Sequence, residues 1–186
     1  AVTTGEVWTM TTFDDGGGSG LFVGGRSLGL VGIQRWRGGT WSTIASGGVG
    51  VVEVLSTYDD GSGPALVAGG YFSSISGQAA ANIARWNGTS WSALGAGVSG
   101  TGGAVDALHV FDGGNGPELF AAGTFSTAGG SPAQSVARWN GSAWAAMGTG
   151  LSQPVRALTT FDAGHGPVLI AGGQMSPYPN SSVGQN

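Results

Sequence analysis

The side chains best equipped for chemistry recur along this sequence as a short pattern. Arg35-Trp36, Arg85-Trp86 and Arg138-Trp139 are each followed by a second tryptophan, at Trp41, Trp91 and Trp144. Indole faces bind sugar rings by stacking, and guanidinium groups add hydrogen bonds or cation–π contacts. These residues are the candidate ligand-binding positions, and glycans are the candidate ligand. The competing reading is packing, and it is the stronger one. A tryptophan at the same place in every repeat packs between units, and a strand arginine covers the neighbouring ring or pairs with a turn carboxylate. Asp14, Asp59, Asp112 and Asp162 recur once per repeat and are the expected carboxylate partners.

Catalytic groups are sparse. His109 and His165 have no histidine or cysteine at metal-ligand spacing, so no zinc or copper centre is expected. Gly25-Arg26-Ser27-Leu28-Gly29 matches the Gly-x-Ser-x-Gly nucleophile elbow. That motif has meaning only between a strand and a helix, and no helical pattern follows Ser27. Asp14-Asp15-Gly16 and Asp59-Asp60-Gly61 resemble the start of a calcium loop, yet Gly113 and Ala163 replace the second aspartate later in the chain. A structural turn is the expectation there. Asn87-Gly88-Thr89, Asn140-Gly141-Ser142 and Asn180-Ser181-Ser182 match the N-glycosylation pattern. The first two are also hairpin signals, because Asn and Gly both tolerate positive φ. No enzyme activity and no cofactor are expected.

Composition narrows the classes further. The chain has 186 residues, 39 of them glycine, with no cysteine. All six basic residues are arginine. Absent cysteine excludes a disulfide scaffold and a zinc finger. A net charge of -4 and a pI near 4.8 argue against a nucleic-acid partner. No apolar run approaches the ~18 residues that would span a membrane, so no membrane insertion by helices is expected. Only 9% of residues are charged and 40% are hydrophobic, which argues against disorder. Ala1-Val2-Thr3-Thr4 carries no signal-peptide pattern, so a leader is expected to have been removed or the chain to be cut from something longer.

Internal repetition supplies the elements that position these residues. Phe13, Tyr58, Phe111 and Phe161 begin similar aromatic-Asp-x-Gly segments, spaced by 45, 53 and 50 residues. Each aromatic lies 12 residues before a glycine, at Gly25, Gly70, Gly123 and Gly173. The Arg-Trp pairs are spaced by 50 and 53, which is the same period. Each repeat reads as four short strands with no helix. Val7, Val52, Val105 and Val155 open the first strand, and Met10, Leu55, Leu108 and Leu158 lie three places on. Apolar places of both parities imply that both faces of the strand are covered. The glycine doublets Gly24-Gly25, Gly69-Gly70 and Gly172-Gly173 end the second strand, where close backbone approach suits them. Ser99 to Ala104 and Ala128 to Ser131 read as glycine-rich loops.

The expected fold is therefore all-β: a β-propeller of four-stranded antiparallel blades, about 50 residues each, with about three and a half blades present. The whole of 1–186 is one partial or complete propeller, with repeats at approximately 7–51, 52–104, 105–154 and a partial 155–186. An apolar strand ending in Gly-Gly (Leu66-Val67-Ala68-Gly69-Gly70) and two aromatics flanking a tight turn (Trp86-Asn87-Gly88-Thr89-Ser90-Trp91) resemble the kelch motif. The sequence departs from that family in Trp-Asn or Trp-Arg where Tyr-Asp is usual, and in Ala122-Gly123. The copper oxidases on kelch-type propellers need a cysteine, so their activity does not carry over. The repeats are also similar to secreted, glycine-rich bacterial proteins of planctomycete type, of unassigned function. That likeness implies an extracellular or cell-envelope location and no activity. No Arg-Trp follows the fourth aromatic, so the ring is expected to be incomplete. Its partners would be further blades of a longer chain or other copies of itself, in a closed ring or an open polymer. The expected role is structural or interactive, with carbohydrate binding as the alternative.

Overall fold

The computed structural model describes residues 5–27, 30–47 and 50–174, all in strands, turns and loops with no helix. Residues 175–186, within the expected partial fourth repeat, lie outside it, as does the Asn180 acceptor site. Four antiparallel sheets follow one another along the chain. The first joins β1 (Gly5–Asp14), β2 (Ser19–Ser27), β3 (Leu30–Arg37) and β4 (Thr40–Ala45) in sequence order. In the second, β5 (Gly50–Asp59) and β6 (Pro64–Phe72) are followed by a small hairpin, β7 (Ser74–Ile75) and β8 (Gln78–Ala79). The sheet then resumes with β9 (Ile83–Trp86) and β10 (Trp91–Ala93).

β11 (Val98–Ser99) leads to the third sheet, which starts with β12 (Val105–Asp112) and β13 (Pro117–Gly123). The hairpin β14 (Thr127–Ala128) and β15 (Ser131–Pro132) intervenes before β16 (Val136–Trp139) and β17 (Trp144–Ala146) complete that sheet. β18 (Val155–Asp162) and β19 (Pro167–Gly173) pair as the fourth. Of the two segments expected as glycine-rich loops, residues 100–104 are a loop, while Ser99 ends a strand and Ala128 to Ser131 is part of a hairpin. β11 pairs with β14, and Ala128 to Ser131 forms the β14–β15 turn, so a three-stranded ribbon buttresses the junction of the second and third sheets.

Successive sheets stack face to face. β5 packs on β1, β2 and β3; β12 packs on β5 and β6; β18 packs on β12 and β13. Each sheet thus has a front, toward the preceding sheet, and a back, toward the next. Phe13, Phe22 and Ile33 on the back of the first sheet meet Val52, Leu55 and Leu66 on the front of the second. Tyr58 and Val67 meet Val105 and Leu119 at the next interface. Ala107, Ala122 and Val136 meet Val155 at the third, flanked by Leu158 and Ala171. Burial of these side chains drives the stacking, at about 1.5–3 kcal/mol for each fully buried large apolar group.

A β-bulge near the start of every first strand decides which side chains share a face. The register shifts between Val7 and Thr9, Val52 and Val54, Val105 and Ala107, and Val155 and Ala157. The extra residue reverses the alternation, so Val52 and Leu55, three apart, both lie in the core against the first sheet. In the second and third sheets both faces of the first strand are covered as expected, but the first and fourth apolar places lie on the same one. The bulge also explains the doublet glycines. A Cβ on Gly25, Gly70, Gly123 or Gly173 would sit 2.0–2.2 Å from a backbone carbonyl in the bulged strand or of the residue just before it.

The loop between the first two strands is the same device in all four sheets. Asp14 Oδ1 accepts hydrogen bonds from Gly16 and Gly18 N–H, both at 3.0 Å. Asp59, Asp112 and Asp162 repeat this with Gly61 and Gly63, Gly114 and Gly116, and Gly164 and Gly166. Every one of those glycines has φ near +90 to +106°. An Asp-x-Gly-x-Gly spacing is required because the carboxylate must meet two amides across a left-handed backbone.

Candidate functional site: the tryptophan and arginine positions

The tryptophans lie on the front of their sheets, against the preceding sheet. Trp91 is buried and its indole N–H donates to the Ile44 carbonyl of the first sheet at 2.9 Å. Trp144, one repeat later, donates to the carbonyl of Leu94, the residue after β10, at 2.8 Å. Their cross-strand partners stack beside them: Trp86 on Trp91 at 5.6 Å, and Trp139 on Trp144 at 5.4 Å between ring centroids. Trp86 Nε1 is buried and has no hydrogen-bond partner. The first sheet carries the same cross-strand pair, Trp36 opposite Trp41. Here Trp36 remains 42% exposed and Trp41 half-buried.

The arginines lie on the opposite, back face, and their partners differ from the expected ones. Asp14, Asp59 and Asp112 are occupied by their own turns. Arg35 and Arg37 both reach the next residue, Asp15, at 2.5 and 2.6 Å. Arg85 pairs with Asp60 and also donates to Ser62 Oγ at 3.0 Å. In the third repeat Gly113 stands at that place, and Arg138 instead makes a two-pronged contact with Glu118, at 2.8 and 3.1 Å. The acid has moved from the turn to the start of the next strand. Parity is the reason: Glu118 pairs with Phe111 beside Phe120, which is opposite Arg138. Burial alone would raise the Asp15 carboxyl, but hydrogen bonds from Arg37 and Arg35 outweigh it and hold the group below its ordinary range. Burial likewise opposes, and Ser62 and Arg85 prevail, at Asp60.

The Asn-Gly turns are also built differently from the expectation. Among the described residues, only Gly88 and Gly141 of those turns have positive φ. Asn87 Oδ1 accepts from Thr89 and Ser90 N–H, at 3.0 and 2.9 Å, and Asn140 does the same with Ser142 and Ala143. The asparagine caps a longer loop in place of entering the left-handed region. The two-residue turn with both φ positive occurs in the first sheet, at Gly38 (57°) and Gly39 (82°).

The remaining candidates are placed as follows. His109 Nε2 lies 2.7 Å from Thr160 Oγ1, bridging the third and fourth sheets, and His165 is exposed in its turn. Ser27 ends β2 and is paired with Leu30 at the start of β3, so a strand follows it, not a helix; Leu28 and Gly29 lie outside the described residues. Among the described residues no group of three or more His, Asp or Glu is placed to hold a metal ion.

One constellation has no counterpart in the sequence reading. The unmatched bulge residues are Trp8, Glu53, Asp106 and Arg156, one per sheet. Stacking brings Glu53, Asp106 and Arg156 within electrostatic reach of one another. Arg156 donates to Asp106 at 2.9 Å across the third interface. Burial raises the Glu53 carboxyl, the Asp106 charge raises it further, and Arg156 offsets part of this. Asp106 is likewise raised by burial, against the pull of Arg156. Only the bulge aligns these residues, and a bulge leaves no local signature apart from the opposing glycine.

Trp91, Trp139 and Trp144 are buried between sheets, whereas Trp8 and Trp36 are exposed. No family model, curated protein or solved structure matches the chain.

Proposed function

We propose that the chain is a non-enzymatic, extracellular structural or interaction module. Its stacked sheets are the blades of a partial, kelch-like β-propeller that self-associates or belongs to a longer repeat chain. One observation carries this reading. Positions buried at the first and second interior interfaces are exposed on the two end sheets. Phe13 and Tyr58 are buried, whereas Phe161 is 58% exposed. Val52 and Leu55 are buried, whereas Val7 is 46% and Met10 64% exposed. Exposed apolar faces of this kind mark association surfaces.

The test is the native gene product. Further repeats beyond codon 186, or a mass above that of one chain in light scattering, supports the reading. A product that ends at Asn186 and stays a monomer overturns it.

Carbohydrate binding is the second reading, favoured by the exposure of Trp36 beside Trp41 on the front of the first sheet. A glycan array separates the two. Specific binding lost in Trp36→Ala supports a lectin role, and a blank array leaves the module reading.

A further inference from the structure

The first two interior interfaces share one arrangement, and the third keeps part of it: the back of a sheet receives the front of the next. The arrangement has four parts. An aromatic or large apolar residue on the back (Phe13, Tyr58) is covered by the following front. A valine at the start of the next first strand enters above the doublet glycine: a Cβ on Gly24 would lie 2.7 Å from Val52, and one on Gly69 2.6 Å from Val105. The second tryptophan of the following sheet donates to a carbonyl behind it. Bulge residues of neighbouring sheets pair, as Arg156 and Asp106 show.

Among the described residues, the apolar parts of this arrangement are exposed on the two end sheets. The back of the fourth sheet presents Phe161 and Ile170, 58% and 44% exposed. Beside them is Gly172, where a Cβ would meet nothing closer than 3.9 Å. The front of the first sheet presents Val7, Met10, Trp36 and Trp41. These are the two halves of the interior joint. Their charges also match. Arg156 is the exposed bulge residue at one end, and Trp8, with Glu6 hydrogen-bonded to its indole at 3.0 Å, is the bulge residue at the other.

We infer that a second copy of this chain docks head to tail, its first-sheet front on the fourth-sheet back of its neighbour. Val7 enters over Gly172, and Met10 and the Trp36–Trp41 pair cover Phe161 and Ile170. The Arg156 guanidinium lies against the Trp8 indole and near the Glu6 carboxylate, a cation–π contact with a charge partner. The surfaces on the two copies differ, so the contact is heterologous. It builds a ring if its rotation closes and a filament if it does not. This inference rests on the module reading above and names its partner and register.

The whole chain is compared with Phe161→Asp and Met10→Asp by light scattering over a concentration series up to about 1 mM. Both side chains are exposed, so unchanged circular dichroism and melting temperature are expected for each variant. The parent chain should gain mass with concentration. Each variant alone should bind itself at least tenfold more weakly. An equimolar mixture should form dimers and stop there, because Phe161→Asp keeps an intact head and Met10→Asp an intact tail. Arg156→Ala should weaken association and reduce its sensitivity to salt.

Association that survives in either single variant, or a mixture that stays monomeric, overturns the head-to-tail contact. The module reading then still stands if the parent chain associates through another surface or its gene continues into further repeats. A parent chain that remains monomeric throughout overturns the inference, and a gene ending at codon 186 would then end both.

Discussion

Asp14 and Asp15 are neighbours with the same side chain and different work. Asp14 closes its own turn, while Asp15 pairs with two arginines from β3. The division repeats at Asp59 and Asp60, and in the third repeat Glu118 takes over the second role. That substitution makes the role transferable. Glu118→Ala leaves Arg138 unpaired and should cost about 0.2–1 kcal/mol, because the pair is partly exposed. Adding Gly113→Asp should restore most of the loss. Gly113 has ordinary φ, and a Cβ there meets only the Phe111 ring at 3.5 Å. Chemical denaturation of the single and double variants measures the recovery; a double variant no more stable than Glu118→Ala would mean that position, not charge, matters.

The tryptophans allow a second comparison. Trp144→Phe removes an indole N–H that binds the Leu94 carbonyl, while Trp86→Phe removes one that is buried without a partner. Both changes shrink the ring equally. The Trp144 variant should therefore be the less stable by about 1 kcal/mol or more. Equal destabilisation in denaturant titrations would show that the bond contributes nothing.

At the scale of the element, the bulge and its glycine act as one unit. The bulge sets which apolar residues face forward, and the glycine opposite leaves room for the displaced strand. Gly70→Ala places a Cβ 2.1 Å from the Val51 carbonyl, where only backbone can give way. It should cost about 1–3 kcal/mol, as overpacking does. Gly172→Ala meets nothing closer than 3.9 Å and should be within about 0.5 kcal/mol of the parent. Melting temperatures of the two variants check the contrast. The Asp-x-Gly-x-Gly loops were visible in the sequence as repeated turn residues. Their alternate glycines acquire a cause only when the carboxylate is seen between two amides.

At the scale of the molecule, stacking creates neighbours from residues about 50 positions apart. The bulge carboxylates Glu53 and Asp106 are forced together with one cation, Arg156. Both carboxyls are raised in the fold, so the folded state holds protons that the unfolded chain has released. Their contribution to stability is full below the ordinary carboxylate range and falls as pH rises through their raised values. Asp15 and Asp60 are lowered and act oppositely: their contribution is present above the ordinary range and lost as pH falls through their lowered values. Glu53→Gln should remove part of the decline above the ordinary carboxylate range and raise the melting temperature at neutral pH. A melting profile that keeps the parent's slope over that window would refute the assignment.

The sequence by itself determined the local units. Four aromatic-Asp segments, paired tryptophans and glycine doublets at one period imply strands of fixed order joined by fixed turns, and the sheets have that order. Turn chemistry and strand alternation act over a few residues, so they are legible in one dimension. Tertiary structure alone decided three matters. It chose Asp15, Asp60 and Glu118 over the better-repeated aspartates, because pairing depends on which face a side chain shares with the arginine. It joined Val98–Ser99 to Thr127–Ala128 in a ribbon that no periodicity marks. And it separated Phe13 from Phe161, which stand at the same place in their repeats: burial belongs to the neighbouring sheet, and among the described residues only Phe13 is covered by one.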